Sequence, residues 1–170
     1  MFDRQLIIEA KDTLDMLRDG GLMLATAESC TGGLVAGLLT SIAGSSAVVE
    51  RGFVTYSNEA KAEMLGVPMA LIKQHGAVSE QVAREMAEGA LRHSRANVAV
   101  SVTGIAGPGG GSKDKPVGLV HFACARKDMV THHVRMEYGD LGREEIRLAA
   151  VGTALAMIRA QISSGGGMFA

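Results

Sequence analysis

The stretch LMLATAESCTGGLVAGLLTSI, residues 22–42, decides the fold class. It opens with a short apolar run that is typical of a buried strand. The polar turn ESCTGG follows directly, and the apolar residues after it recur at helical spacing, at Leu34, Val35, Leu38, Leu39 and Ile42. A strand, a tight turn and a helix therefore follow one another, which is the repeating unit of an α/β fold.

Helices and strands continue to alternate on both sides of this unit. An amphipathic first helix is predicted over residues 4–18, and three later helices have candidate N-caps at Ser57 or Asn58, at Ser79 and at Asp140. Gly66 closes the helix that starts near residue 57. Further strands are predicted at about residues 47–56 and over NVAVSVTGI, VGLVHFACA and MVTHHVRM.

The last two strands are joined only by the residues around Lys127, too few for a parallel crossover, so they form an antiparallel hairpin. The pattern predicts a three-layer α/β/α sandwich on a mixed, mostly parallel sheet with this one hairpin. With 170 residues the chain is long enough for one well-buried core. We expect a single domain over residues 1–163 and a flexible tail, rich in Gly and Ser, over 164–170.

Composition narrows the range of partners. The net charge is −1 and basic residues are balanced by acidic ones, so no nucleic-acid surface is indicated. No apolar run reaches the length of about eighteen residues that a membrane helix needs, and the start lacks the layout of a signal peptide. Cys30 and Cys124 lie far apart without CxxC spacing, which indicates neither a disulfide framework nor a zinc site. We expect a cytoplasmic protein without metal or cofactor that binds a small molecule.

Three of the segments that follow strands carry unusual residues: TAESCTGG, VTYSNEAK and SVTGIAGPGGG. In open α/β sheets the ligand site lies beyond the carboxyl ends of the strands, where such turns gather. A turn that leads into a helix offers unpaired backbone N–H groups, which suit a phosphate or an oxyanion. Capping of the helix by Ser or Thr is the alternative, and the glycines do not decide, because they match neither GxGxxG nor the P-loop spacing.

TAESCTGG contains three adjacent candidate nucleophiles, Ser29, Cys30 and Thr31. A hydrolase cysteine needs a histidine beside it, and the five histidines lie in other segments, at His75, His93, His121, His132 and His133. Cys30 is otherwise a small buried apolar residue. Ser29 can be activated by a desolvated lysine, and Lys61 follows the neighbouring strand. From the residues alone, such a lysine is more often a solvated surface side chain, and such a tyrosine is more often a packing residue.

The glycine-rich loop and the arginines of the last helix each have two possible interpretations. GPGGGSKDKP is either a disordered connector or a backbone cradle for a phosphate. Arg143 and Arg147 are four residues apart on the last helix, where they form either a solvated charged face or a substrate contact.

The order of TAESCTGG, AGSS, RGFVTYSNEAKAEMLGV, GAVSE and SVTGIAGPGGGSKDKPVG closely resembles the CinA C-terminal family, from residue 4 to about residue 160. The resemblance, which is to the stand-alone form of that domain, implies hydrolysis of the carboxamide of nicotinamide mononucleotide to nicotinate mononucleotide and ammonia, in pyridine-nucleotide salvage. It implies no metal and no cofactor. A non-catalytic nucleotide-binding or competence-related regulatory module and an amidase for another small carboxamide are the alternatives.

The resemblance also assigns residues. It implies that Ser29 is the nucleophile, with Lys61 as the base and Tyr56 relaying or orienting the proton transfer. On the substrate side it implies the elbow around the nucleophile, the glycine-rich loop and an arginine of the last helix, which together are Cys30, Thr31, Gly32, Gly33, Thr103, Gly104, Gly107, Arg143 and Arg147. Backbone N–H groups near Cys30 and Thr31 are expected to hold the oxyanion. A homodimer or higher homo-oligomer is expected from the family and from the frequency of two-fold dimers.

Overall fold

The protein is described here from a computed structural model, which covers residues 1–166, with side chains to residue 164. Six helices and five strands follow in the order α1 (Arg4–Asp19), β1 (Leu24–Glu28), α2 (Leu34–Thr40), β2 (Val49–Val54), α3 (Asn58–Leu65), α4 (Met69–His75), α5 (Glu80–Arg92), β3 (Val98–Gly104), β4 (Leu119–Arg126), β5 (His132–Glu137) and α6 (Arg143–Gly166).

The five strands form one mixed sheet in the order β2-β1-β3-β4-β5. β1 lies parallel to both β2 and β3, whereas β4 pairs antiparallel with β3 and with β5. Four strands therefore point in one direction and β4 alone runs against them. The predicted hairpin of β4 and β5 is confirmed. The antiparallel pairing of β3 with β4 was not predicted from the sequence.

Helices cover both faces of the sheet, which confirms the three-layer sandwich. One core joins α1, α2 and α6 to the sheet through Leu14, Leu38, Phe122, Ile146 and Leu155. The other joins α3, α4 and α5 to it through Leu65, Ile72, Val82, Met86 and Ala99. β1 and β3 are buried along almost their whole length because they lie inside the sheet between these two layers.

Several helix boundaries follow the predicted caps. The Ser57 side chain accepts the Ala60 N–H at the start of α3, and Gly66 ends that helix with a positive φ of 72°. The Ser79 side chain accepts the Val82 N–H and starts α5. These two N-caps fix the ends of the segments that precede α3 and α5. Both segments contribute residues to the candidate site.

Three boundaries differ from the sequence prediction. The predicted cap by Asp140 is wrong: α6 begins at Arg143, and its first turn is closed by the Ile146 N–H on the Gly142 carbonyl, because Gly142 with a φ of 95° makes the bend that a cap would otherwise make. Helix α4 is an addition to the sequence prediction. α6 also continues to Gly166, past the expected start of the tail at residue 164; the rest of that tail, 167–170, lies outside the described residues.

Helix α6 has the length and apolar content of a membrane span over Arg143–Ser164. Its apolar side chains fill the core against α1, β3 and β4. Ile146, Val151, Leu155 and Ile158 are fully buried there. The apolar character of the helix is thus accounted for by packing within the fold.

Candidate active site

The three segments singled out in the sequence meet around one cavity of about 270 Å³ at the carboxyl ends of β1, β2 and β3. Parallel strands bring their carboxyl ends to one edge, so the turns that follow them share that edge. The α4–α5 connection completes the wall, and the lining residues are Ser29, Cys30, Tyr56, Asn58, Lys61, Ala77, Val78, Thr103, Gly104, Ile105, Ala106, Gly107, Gly109, Gly110 and Arg143.

Ser29 and Lys61 are in direct contact at the bottom of this cavity. The Lys61 ammonium Nζ lies 3.0 Å from the Ser29 Oγ, 3.0 Å from the Thr55 carbonyl oxygen and 3.3 Å from the Tyr56 carbonyl oxygen. Three acceptors match the three N–H bonds of a charged lysine. When the amine is neutral, its two N–H bonds fit the two carbonyls and its lone pair faces the serine hydroxyl. The geometry suits a lysine that takes up and returns one proton.

The side chain of Lys61 is almost completely enclosed, with 1% of the residue exposed. Burial lowers the pKa of the Lys61 amine below its ordinary value, because the charged form loses its hydration. Within residues 1–166 no carboxylate forms an ion pair with this lysine that would offset the effect. Lys61 therefore meets the two requirements of a general base, contact with the nucleophile and a lowered pKa.

Tyr56, predicted to relay or orient the proton transfer, has its backbone and its side chain in different parts of the site. Its backbone carbonyl accepts from Lys61, while its hydroxyl accepts a hydrogen bond of 3.0 Å from the Arg143 Nη2. Among the described residues no hydrogen bond joins the Tyr56 hydroxyl to Ser29 or Lys61, and the residue is 60% exposed. Arg143 also donates to the Gly107 carbonyl at 2.7 Å. Tyr56 and Arg143 thus form the rim of the cavity.

The ESCTGG turn is held from inside by a buried carboxylate. Glu28 is fully buried, and its two oxygens accept the N–H groups of Val35 at 2.8 Å and Ala36 at 3.1 Å. The Glu28 side chain therefore occupies the anion-binding position at the N-terminus of α2. Gly32 and Gly33 have φ values of 58° and 101°, which only glycine adopts without strain, and so allow the chain to turn sharply after the nucleophile.

Arg147 holds the same turn from the other side. Its Nε donates to the Cys30 carbonyl at 3.1 Å and its Nη2 to the Thr31 carbonyl at 3.2 Å. The residue does not line the cavity. The two arginines predicted as substrate contacts are therefore separated by the structure, with Arg143 at the rim and Arg147 behind the elbow.

Cys30 lies beside Ser29 but has the wrong protonation state for a nucleophile. Burial is the main cause that raises the pKa of the Cys30 thiol to about 12, so that it is fully protonated at neutral pH. None of the histidines lines the cavity. His121 and His133 instead contact each other on β4 and β5, with 2.9 Å between the His121 Nδ1 and the His133 Nε2.

The family model of the CinA C-terminal domain matches residues 8–162. The chain belongs to the CinA C-terminal domain family. The solved structure of the competence/damage inducible protein CihA from Agrobacterium tumefaciens, a protein 58% identical, superimposes with a TM-score of 0.92 over 94% of this chain and 97% of that one. The recognition made from the sequence motifs and the fold class are both confirmed.

Relatives of two lengths carry this domain. A protein of Escherichia coli K12 named nicotinamide-nucleotide amidohydrolase PncC is 52% identical over 157 residues, which cover 91% of this chain and 93% of that protein. A protein of Caldicellulosiruptor bescii with a competence-damage inducible name is 56% identical over 128 residues, or 75% of this chain, but the match spans only 31% of that protein. The chain thus spans nearly all of one relative and about a third of the other.

The predicted substrate-side residues of this CinA domain fall into two groups. Those that line the cavity are Cys30, Thr103, Gly104, Gly107 and Arg143. Those that shape the elbow without lining the cavity are Thr31, Gly32, Gly33 and Arg147. The Thr103 hydroxyl donates to the Ala77 carbonyl at 2.9 Å, so it ties the β3 end to the α4–α5 connection.

Sequence reasoning missed four contributors. Asn58 lines the cavity beside Lys61, Ala77 and Val78 form its far wall, and Glu28 organises the elbow. Asn58 belongs to VTYSNEAK, where the sequence indicates only a possible helix cap, and Ala77 and Val78 belong to GAVSE, where small apolar side chains indicate no particular chemistry. No spacing rule identifies Glu28, because its function depends on the turn that brings residues 35 and 36 back to it.

The part of the chain that the structure describes holds no group of three His, Cys, Asp or Glu side chains arranged to bind a metal ion.

Proposed function

We propose that this protein is a nicotinamide-nucleotide amidohydrolase, which converts nicotinamide mononucleotide to nicotinate mononucleotide and ammonia with Ser29 as nucleophile and Lys61 as base. The observation that carries the mechanism is the 3.0 Å contact between a buried lysine amine and a serine hydroxyl inside a cavity. The names of relatives at 52% and 58% identity support the substrate.

In the first half of the reaction the Ser29 hydroxyl proton passes to the neutral Lys61 amine while Oγ bonds to the carboxamide carbon. The carbonyl π bond opens and places a negative charge on oxygen. When the carbonyl re-forms, the C–N bond breaks, and the proton held by Lys61 passes to the departing nitrogen, which leaves as ammonia. An ester between Ser29 and the nicotinate carbonyl carbon remains.

In the second half a water molecule takes the position of the ammonia. Lys61 accepts its proton, the hydroxide oxygen bonds to the ester carbon, and the second tetrahedral species expels the Ser29 oxygen. The proton on Lys61 returns to that oxygen, and the acid is released. Lys61 accepts one proton and gives it up again in each half of the reaction, so its lowered pKa is needed in both halves.

The oxyanion of both tetrahedral species needs hydrogen-bond donors next to Ser29. The N–H groups of Cys30 and Thr31 make no hydrogen bond to another residue within the described chain. Cys30 lines the cavity directly beside the nucleophile. We assign the oxyanion site to this turn, whose backbone is fixed before the substrate arrives.

We place the nucleotide's phosphate at the rim of the cavity. Arg143 is the cation there, and it is already oriented by its bonds to Gly107 and Tyr56. Thr103, Gly104 and the glycines after them form the wall between the rim and Ser29. A phosphate bound at the rim adds remote binding energy that positions the carboxamide over Ser29.

Ammonia release tests this proposal most simply. We expect release from nicotinamide mononucleotide, a far lower kcat/KM for free nicotinamide, which lacks the phosphate, and little release from NAD or glutamine. Ser29→Ala is the control for a contaminating amidase. Binding of the mononucleotide without ammonia release would instead support a non-catalytic module, and release from another carboxamide would reassign the substrate.

We further propose that the protein works as a homo-oligomer in the cytoplasm, without a nucleic-acid or membrane partner. The balanced charge of the chain and the common use of two-fold symmetry support this. A monomeric mass by light scattering at working concentration would contradict the oligomer.

A further inference from the structure

Arg147 is a partly buried arginine whose charge the proposed chemistry does not use directly. It lies on α6 one turn after Arg143, outside the cavity lining. Its Nε and Nη2 donate to the consecutive carbonyls of Cys30 and Thr31, at 3.1 Å and 3.2 Å. A planar guanidinium that bonds to two carbonyls in a row fixes the orientation of the peptide groups to which they belong.

These two bonds bear on the oxyanion site through the geometry of the peptide bond. In a trans peptide the C=O of one residue points opposite to the N–H of the next. The Cys30 carbonyl is directed at Arg147, so the Thr31 N–H is directed away from it. The two carbonyl oxygens, which would repel an oxyanion, are likewise kept on the side of the turn that Arg147 occupies.

The turn fits closely against the guanidinium. A Cβ added at Gly32 would lie 3.2 Å from the Arg147 Nη2, which is closer than ordinary van der Waals contact and would displace the guanidinium by a few tenths of an ångström. The Gly32 N–H donates to the Ser29 carbonyl at 3.0 Å and closes the turn around the nucleophile. Three hydrogen bonds thus hold the backbone of residues 29–32 and the Arg147 guanidinium together.

We propose that Arg147 is a positioning residue that holds the Cys30–Thr31 turn in the orientation that stabilises the oxyanion, and that it does not contact the substrate. The inference deepens the proposed amidase function and rests on it. Arg147 should therefore affect the chemical step and leave substrate binding unchanged, whereas Arg143, at the rim, should affect binding.

The kinetic test compares Arg147→Gln and Arg147→Lys with Arg143→Gln, the matched change one helical turn earlier. We expect Arg147→Gln to lower kcat for nicotinamide mononucleotide by about 100-fold, the loss that a misplaced catalytic group causes, with KM unchanged. Its pH profile should keep the parent's apparent pKa, because Lys61 is not touched. Arg147→Lys, which keeps the charge but reaches one carbonyl, should recover part of kcat. Arg143→Gln should mainly raise KM.

A second measurement does not depend on the identity of the substrate. A small fluorophosphonate reacts with an activated serine: the Ser29 Oγ–P bond forms, the P–F bond breaks, fluoride leaves, and the hydroxyl proton passes to Lys61. The phosphoryl oxygen gains negative charge in this step and uses the same donors as the carboxamide oxygen. We expect labelling of the Ser29 peptide, followed by mass spectrometry, to be slowed by Arg147→Gln and not by Arg143→Gln.

The inference is overturned if Arg147→Gln keeps the parent's kcat and labelling rate, or if it raises KM as Arg143→Gln does. If Arg147→Gln does not fold, as judged by circular dichroism, Arg147→Lys decides: a lower kcat and slower labelling at unchanged KM support the inference, and parent values overturn it. A parent that labels at Ser29 but releases no ammonia from the mononucleotide contradicts the proposed function alone, and the labelling rates then decide the role of Arg147.

Discussion

Replacing Lys61 by Met tests the base with little change of shape. Methionine occupies a similar volume in the enclosed site, which exposes 1% of the lysine, but it can neither accept the Ser29 proton nor donate to the Thr55 and Tyr56 carbonyls. Lys61→Arg is the companion change, since it keeps a donor but holds its proton at all working pH values.

The size of the effect follows from the contacts. A general base contributes about 10² to 10⁴-fold to a rate, and Lys61 moves a proton in both halves of the reaction, so we expect kcat to fall by about 10⁴-fold, or about 5 kcal/mol of activation free energy. Double replacement of Ser29 and Lys61 should cost no more than either single change, because the two residues act as one unit. Lys61→Arg should fail to the same extent.

The same lysine predicts two pH effects. Its amine must be neutral to act, so kcat/KM should rise with pH through an apparent pKa below the ordinary 10.5 of lysine. In the unfolded chain the Lys61 amine keeps its proton up to about its ordinary pKa, whereas in the folded protein it loses the proton at a lower pH. Between the lowered pKa and 10.5 the unfolded state therefore holds more protons, and the free energy of unfolding should rise with pH. Lys61→Met should lack this rise.

Steady-state ammonia release at several pH values and chemical unfolding at the same values supply the data. Circular dichroism of each variant is the control for correct folding. An active Lys61→Met protein, or a parent whose kcat/KM does not change below pH 10.5, would refute the assignment of Lys61 as the base.

Three other expectations follow from the site. Cys30→Ala should keep most activity, and iodoacetamide should not react with Cys30 at neutral pH, because the thiol has a pKa of about 12; rapid alkylation with loss of activity would contradict this. Tyr56→Phe should raise KM with a small change in kcat, since the hydroxyl contacts Arg143 and not the Ser29–Lys61 pair; a kcat loss as large as that of Lys61→Met would instead support the proton relay. EDTA should leave the rate unchanged, and restoration of a lost rate by a divalent ion would disprove the metal-free mechanism.

Much of the fold could be predicted because its signals are local. The apolar run and turn before Leu34 gave β1 and α2, Ser57 and Ser79 marked helix starts, and the short β4–β5 connection required a hairpin. Asp140 failed as a cap because a capping residue type is only a preference, and the bend at Gly142 sets the start of α6 instead. The antiparallel pairing of β3 and β4 depends on the course of the glycine-rich loop, which local patterns do not encode.

The candidate site shows the same division between local and long-range information. Family motifs identified Ser29 and Lys61, 32 positions apart, and the structure brings them into contact. The separate positions of Arg143 and Arg147 could not be predicted, because both fit the same helical spacing and only the packing of α6 against the elbow distinguishes them. The position of Tyr56 at the rim likewise depends on Arg143, which lies 87 positions further along the chain.

The covalent intermediate is the most direct test of the central claim that Ser29 attacks the carboxamide. The enzyme is mixed with excess nicotinamide mononucleotide, quenched in acid within milliseconds, digested and analysed by mass spectrometry. The account predicts an adduct with the mass of the substrate less ammonia on the peptide that spans residues 19–51, fragmentation that places it on Ser29, and no adduct in Ser29→Ala. An adduct on Cys30, or one that persists in Ser29→Ala, would contradict it.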